Sequence, residues 1–183
     1  MIKGTRIILR AVEDRDVEQL RYWRNHPQLI NCHFSTLPVD EAAQRVWYNN
    51  YIQTRSHIVF IVENEKGESI GYTLIKDIDH KNRNCEIGIY LDPGAQGKGY
   101  GKDGFLTLTR FCFHELNMHR VFLTVYSFND RAIQLYQKLG FRTEGSLREA
   151  IFTQNRYHDI IIMSMLEDEF AELYPTHIQE SLH

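Results

Sequence analysis

The sequence has little cysteine, little proline and no long apolar run. Its three cysteines, Cys32, Cys85 and Cys112, are odd in number, far apart and without a C-x-x-C pair. That spacing supports neither a disulfide framework nor a cysteine-based zinc site and leaves buried thiols as the reading. No apolar stretch approaches the roughly 18 residues a membrane helix needs, and Met1-Ile2-Lys3-Gly4-Thr5-Arg6 lacks the apolar segment of a secretory signal. A cytoplasmic protein without a membrane partner is expected. Basic excess is missing too: a net charge of -3 argues against capture of nucleic acid and leaves room for a cationic small substrate. The nine histidines show no H-x-x-x-H or H-E-x-x-H spacing, so no metal is expected. Gly145-Ser146 lacks the flanking glycine of a nucleophile elbow.

Linkers, repeats and low-complexity tracts are absent as well. With 183 residues, 43% of them hydrophobic, the chain supports one substantial core. One domain over residues 1–183 is expected, with its core at about 5–166 and a peripheral tail from Glu167 to His183.

Periodicity places the elements. Val17, Leu20 and Trp23 mark a helix over Asp14–Arg24, and Ala42, Ala43, Val46, Trp47 and Tyr51 mark another after Pro38. Then β-branched runs take over at His57–Glu63, Ser69–Ile78 and Cys85–Leu91, separated by turn chemistry, as in an antiparallel meander. A helix from Phe105 to about Leu116, a strand over Arg120–Tyr126, a helix over Asn129–Leu139 and strands over Phe141–Thr153 and Arg156–Met165 follow.

Between the strand ending at Leu91 and the helix lies Ala95-Gln96-Gly97-Lys98-Gly99-Tyr100-Gly101-Lys102-Asp103-Gly104, with four glycines and two lysines. A helix start carries unpaired N–H groups and the positive end of the dipole, so glycines that admit a phosphate to the backbone make an anion cradle. A tight turn alone would need fewer glycines. Gly99 to Gly104 spells G-x-G-x-x-G, but His119–Asn129 holds no acidic residue for a ribose, and the match follows a meander instead of opening a βαβ unit. Gly94 and Gly99 have P-loop spacing, yet Tyr100 stands where that loop needs lysine.

Leu91-Asp92-Pro93-Gly94-Ala95-Gln96-Gly97-Lys98-Gly99-Tyr100-Gly101 resembles motif A of the GNAT superfamily of acetyl-CoA-dependent N-acetyltransferases. Asn129-Asp130-Arg131-Ala132-Ile133-Gln134-Leu135-Tyr136-Gln137-Lys138-Leu139-Gly140-Phe141 is similar to the family's N-x-x-A-x-x-x-Y-x-K-x-G-F segment. The resemblance covers roughly residues 5–166. It implies an α/β fold: a mixed, mostly antiparallel central sheet flanked by helices and splayed open where acetyl-CoA enters. Acetyl-CoA would be bound by Ile89, Tyr90 and Leu91, by Gln96, Gly97, Lys98, Gly99, Tyr100, Gly101 and Lys102, and by Asn129, Ala132, Tyr136 and Lys138. Backbone N–H groups near Ile89–Leu91 would polarise the acetyl carbonyl.

Within the superfamily, Leu9–Glu13, Arg83–Ile87, Leu116–Arg120 and Phe141–Glu149 resemble the branch of spermidine/spermine acetyltransferases and RimJ/RimL-type N-terminal acetyltransferases. The polyamine enzymes carry an acidic stretch after the first helix, whereas this chain has His33-Phe34-Ser35-Thr36-Leu37-Pro38, with Asp40 and Glu41 beyond. Trp23-Arg24-Asn25-His26-Pro27 resembles GNATs that acetylate amino sugars on nucleotide carriers. A polyamine acceptor leads, followed by a protein N-terminus and then an amino sugar or aminoglycoside. A catalytically silent acyl-CoA-binding module is the reading from another class. The family is commonly dimeric and the polyamine branch forms larger rings, so a homo-oligomer is expected.

An alkyl amine has a pKa near ~10.4, so reaching its neutral form at pH 7 costs ~4–5 kcal/mol, and a carboxylate or carboxylate-bound water must take the proton. Alternation along Cys85–Leu91 sends Glu86, Gly88 and Tyr90 to the face opposite Cys85, Ile87, Ile89 and Leu91. Glu86 is either a solvent-facing or ion-paired glutamate or, as the resemblance implies, the base. Tyr136 is either a core-facing tyrosine at helical spacing with Ala132, Leu135 and Leu139 or the family's acid, which protonates the coenzyme A sulfur. Asn129 fits the N-cap of its helix, and the resemblance also places its amide on the pantetheine arm.

Overall fold

The computed structural model describes residues 1–30, 37–54 and 57–175. Its strands are β1 (Ile2–Lys3), β2 (Ile7–Ala11), β3 (Ile58–Asn64), β4 (Ser69–Asp79), β5 (Asn84–Leu91), β6 (Arg120–Tyr126), β7 (Arg142–Thr153) and β8 (Arg156–Leu166). They form one sheet in the order β1-β2-β3-β4-β5-β6-β8-β7. The pairings β1–β2, β2–β3, β3–β4, β6–β8 and β7–β8 are antiparallel, and β5 runs parallel to β6 through Asn84↔Arg120, Cys85↔Val121 and Glu86↔Phe122. The helices are α1 (Val17–Asn25), α2 (Pro27–Ile30), α3 (Glu41–Thr54), α4 (Tyr100–His114), α5 (Asp130–Lys138) and α6 (Glu167–Leu173). Among the described residues no helix is long and apolar enough to cross a membrane. Cys32 and the His33–Thr36 stretch lie outside the described residues.

Two units divide the chain: Met1–Lys76 with Gly88–Thr107, and Asp77–Ile87 with the chain from Leu108 onward. In the first, the 3.6-residue period of α1 buries Val17, Leu20 and Trp23. Leu20, Trp23 and Leu29 pack with Val59, Ile61 and Tyr72 of the strands, and Trp47, Tyr51 and Tyr90 close over that cluster. Each such buried side chain contributes about 1.5–3 kcal/mol. Arg10 is buried in the same unit with every direction occupied. Its Nη1 and Nη2 donate to Asp16 at 2.7 and 2.8 Å, its Nε to Glu63 at 2.5 Å, and Nη2 also to Ser69 Oγ at 3.2 Å. Burial alone would push the Asp16 carboxyl up, but the bonds from Arg10 and the Glu13 N–H outweigh it and hold it below the usual range.

In the second unit, period-2 alternation on β6 buries Val121, Leu123 and Val125. Cys85 and Cys112 are buried free thiols, and burial pushes that of Cys112 up. Two expectations change. The segment from Glu167 is not peripheral at its start, because α6 buries Phe170, whose ring lies 5.3 Å from that of Phe113. A single apolar anchor among Glu167, Asp168 and Glu169 has no period to read.

The second change concerns α4, which begins at Tyr100 and not at Phe105, so Gly101, Lys102 and Gly104 are helical. Helical glycine costs about 1 kcal/mol each, but packing overrides that propensity. A Cβ on Gly104 would sit 2.6 Å from Ile89 Cδ1, so a larger residue there would have to push the tip of that side chain aside.

Candidate active site

In the first unit, β5 ends in a short turn over Pro93–Ala95 that Asp92 caps, accepting from the Gly94 N–H at 2.9 Å and from Trp23 Nε1 at 3.0 Å. Gln96 donates its amide to the Leu91 carbonyl at 3.1 Å, so its side chain ties the loop to the strand end. Gly97 and Gly99 follow at φ of 79° and 89°, in the left-handed region that glycine enters without steric cost. The first intrahelical bond of α4 runs from the Asp103 N–H to the Gly99 carbonyl at 3.2 Å. The N–H groups of Tyr100, Gly101 and Lys102 precede it and have no partner inside the helix. Together with the dipole and the exposed Lys98 and Lys102, they make a seat for an anion. Donors on the backbone, a missing side chain at Gly99 and two flanking ammonium groups fit a pyrophosphate.

Residues without a sequence signal hold this loop. The Asp103 carboxylate accepts from the N–H groups of Thr5, Arg6 and Ile7 at 3.0, 2.6 and 3.1 Å, turning away from the anion seat to grip the start of β2. Arg6 donates Nη1 to the Lys98 carbonyl at 2.7 Å and Nε to Glu65 at 2.6 Å, and its guanidinium lies 4.7 Å from the Tyr100 ring centre. The Tyr100 hydroxyl donates to the other oxygen of Glu65 at 2.9 Å, and that bond above all raises the phenol. A backbone N–H and then Arg6 hold Glu65 below the usual carboxylate range. The side chains of Ile89, Tyr90 and Leu91 are taken up in packing: the Tyr90 ring stacks on Tyr72 at 4.9 Å and lies over Gly88. What this stretch can offer a ligand is its backbone.

In the second unit, Glu86 is buried at 7% exposure on β5, which rules out the solvent-facing alternative. Thr124 of β6 donates Oγ1–H to its Oε1 at 2.6 Å. Asn129 is the N-cap of α5, its Oδ1 accepting from the Ala132 N–H at 3.3 Å. None of the residues of α5 is buried. Tyr136 is half-buried, with its ring 6.4 Å from that of Phe141, and Lys138 is exposed. The core-tyrosine alternative requires burial that α5 does not provide.

Residues 6–142 match the acetyltransferase (GNAT) domain family. The SPbeta prophage-derived uncharacterized N-acetyltransferase YokL of Bacillus subtilis is 34% identical over 178 residues, covering 91% of this chain and 93% of its own. The spermidine N(1)-acetyltransferase of Vibrio cholerae is 28% identical over 167 residues, covering 91% and 96%. The crystal structure of spermidine N-acetyltransferase from Vibrio cholerae in complex with CoA and spermine superposes with a TM-score of 0.86 at 27% identity, covering 91% of this chain and 99% of that one.

Proposed function

As a member of the GNAT acetyltransferase family, the chain is an acetyl-CoA-dependent N-acetyltransferase, and we propose that it acetylates a polyamine of the spermidine type. The likeness to a spermidine acetyltransferase bound to spermine, over nearly the full length of both chains, carries this reading. Acetyl-CoA supplies an acetyl group activated as a thioester. In our reading the N–H groups of Tyr100, Gly101 and Lys102, with Lys98, hold the pyrophosphate, and the backbone of Ile89–Leu91 polarises the carbonyl. Glu86 takes a proton from the ammonium of the acceptor, directly or through water. The amine nitrogen then bonds to the acetyl carbon as the carbon–sulfur bond breaks, and that nitrogen loses its second proton to solvent to leave the neutral amide. Tyr136 gives its hydroxyl proton to the leaving sulfur, and the proton on Glu86 restores the phenol through solvent.

An acceptor screen that follows free thiol release tests the acceptor. Spermidine and spermine should saturate at lower concentration than a monoamine, and added salt should weaken that preference. Equal rates for spermidine and a simple monoamine would refute the polyamine assignment.

A second reading is an acceptor whose amine neighbours a carbonyl or carboxylate, such as a protein N-terminus; activity confined to peptide N-termini in the same screen would select it. We also infer a homo-oligomer, supported by Leu147, Phe152 and Tyr157, exposed at 49%, 54% and 63% on β7 and β8. A monomer in sedimentation velocity would contradict it.

A further inference from the structure

A buried carboxylate works as a base only when something holds its reacting oxygens in place, and Glu86 is held by a neighbour on the adjoining strand. Parallel pairing sets Glu86 opposite Phe122, and Thr124 lies two residues further along β6 on the same face as Phe122. The opposite face of β6 is the one that buries Val121, Leu123 and Val125. Thr124 is thus a hydroxyl on the face that Glu86 shares, and its O–H···O distance of 2.6 Å falls in the short range of bonds to an ionised carboxylate. Its branched Cβ limits χ1. The backbone around it is fixed by antiparallel pairing to β8, Thr124↔Ile162. The hydroxyl therefore sits where the sheet puts it.

We propose that Thr124 is a positioning residue for the acetyl-transfer step: its hydroxyl fixes the rotamer of Glu86 and keeps Oε1 occupied, so that the carboxylate meets the acceptor ammonium in one orientation. This rests on the reading of Glu86 as the base. Because the role acts through Glu86, the proposal expects acetyl-CoA binding to be unchanged when the Thr124 hydroxyl is removed.

The experiment is a double-mutant cycle of Thr124→Val and Glu86→Gln, with Thr124→Ser as the conservative control, measured by steady-state kinetics and acetyl-CoA titration. Thr124→Val should lower kcat roughly 10-fold or more, the scale of one lost charge-assisted hydrogen bond, with acetyl-CoA affinity unchanged. Thr124→Ser should restore most of the rate. In the Glu86→Gln background, Thr124→Val should cost nothing further, because a residue that acts through another loses its effect with it. If Glu86→Gln keeps the parental kcat, the base assignment falls and the proposal with it. If Glu86→Gln is slow but Thr124→Val matches the parent, the base stands and the positioning role is overturned. If the two losses multiply, Thr124 acts on packing and the proposal is likewise overturned.

Discussion

Two helix starts in this chain solve the same problem in opposite ways. At α5, Asn129 turns its own side chain back onto the Ala132 N–H at 3.3 Å, so the helix satisfies one of its orphan donors internally. At α4, the residue before the first turn is Gly99, which has no side chain to accept anything, and the first-turn acid Asp103 is spent on the N–H groups of Thr5, Arg6 and Ile7. One start is closed by its own cap. The other has no side-chain cap of its own, and an external scaffold of Arg6, Glu65 and Tyr100 supports the loop around it. A helix N-terminus whose cap is withheld and whose shape is maintained from elsewhere can offer its donors to an anion.

Substitutions at each start break the comparison, and the largest effect is expected at the open one. Gly99→Asp places a carboxylate at the anion seat and a Cβ at a φ of 89°, so acetyl-CoA binding should disappear from calorimetric titration while the protein still melts cooperatively. Unchanged affinity would mean that the pyrophosphate lies elsewhere. On α5 the expectation is chemistry without binding: Tyr136→Phe should lower kcat by roughly 10² to 10⁴ at unchanged acetyl-CoA affinity, which locates the loss in the transition state. Turnover within a few-fold of the parent would show that sulfur is protonated by water or another donor.

Stability effects are smaller. Asp103→Ala strips the N–H groups of Thr5, Arg6 and Ile7, leading into β2, of their acceptor and should cost about 2 kcal/mol, read by chemical denaturation, together with weakened acetyl-CoA binding as the loop loosens. Normal affinity in that variant would separate the scaffold from the seat. Asn129→Ala should cost about 1 kcal/mol as a lost cap, and Asn129→Ser should recover most of it. If Asn129→Ser restores stability but not acetyl-CoA affinity, the amide also serves the pantetheine arm; if both return, it is a cap alone.

How much was legible in the sequence follows from how local each feature is. The strand Arg120–Tyr126 and the cap at Asn129 are written in alternation and in one side-chain type, and both stand where periodicity placed them. The onset of α4 is not legible locally, because Gly101 and Gly104 have the composition of a loop and only the packing of Ile89 against Gly104 marks them as helical. The scaffold of the loop was invisible for another reason. Asp103 meets Thr5 across 98 residues of chain and Thr124 meets Glu86 across 38, and no period or spacing encodes a contact made only when strands from distant segments assemble. The pairing of Gln44 with Arg24 across 20 residues belongs to the same class.

Backbone amide hydrogen exchange at the two helix starts, with and without saturating coenzyme A, tests the contrast most directly. The account predicts that the N–H groups of Tyr100, Gly101 and Lys102 slow by roughly 10-fold or more on binding, as expected for donors newly engaged by an anion. The Ala132 N–H, already held by Asn129, should exchange at nearly its free rate. Bound coenzyme A with unchanged exchange at Tyr100–Lys102, or slowing confined to the start of α5, would contradict the assignment of the open helix end as the phosphate seat.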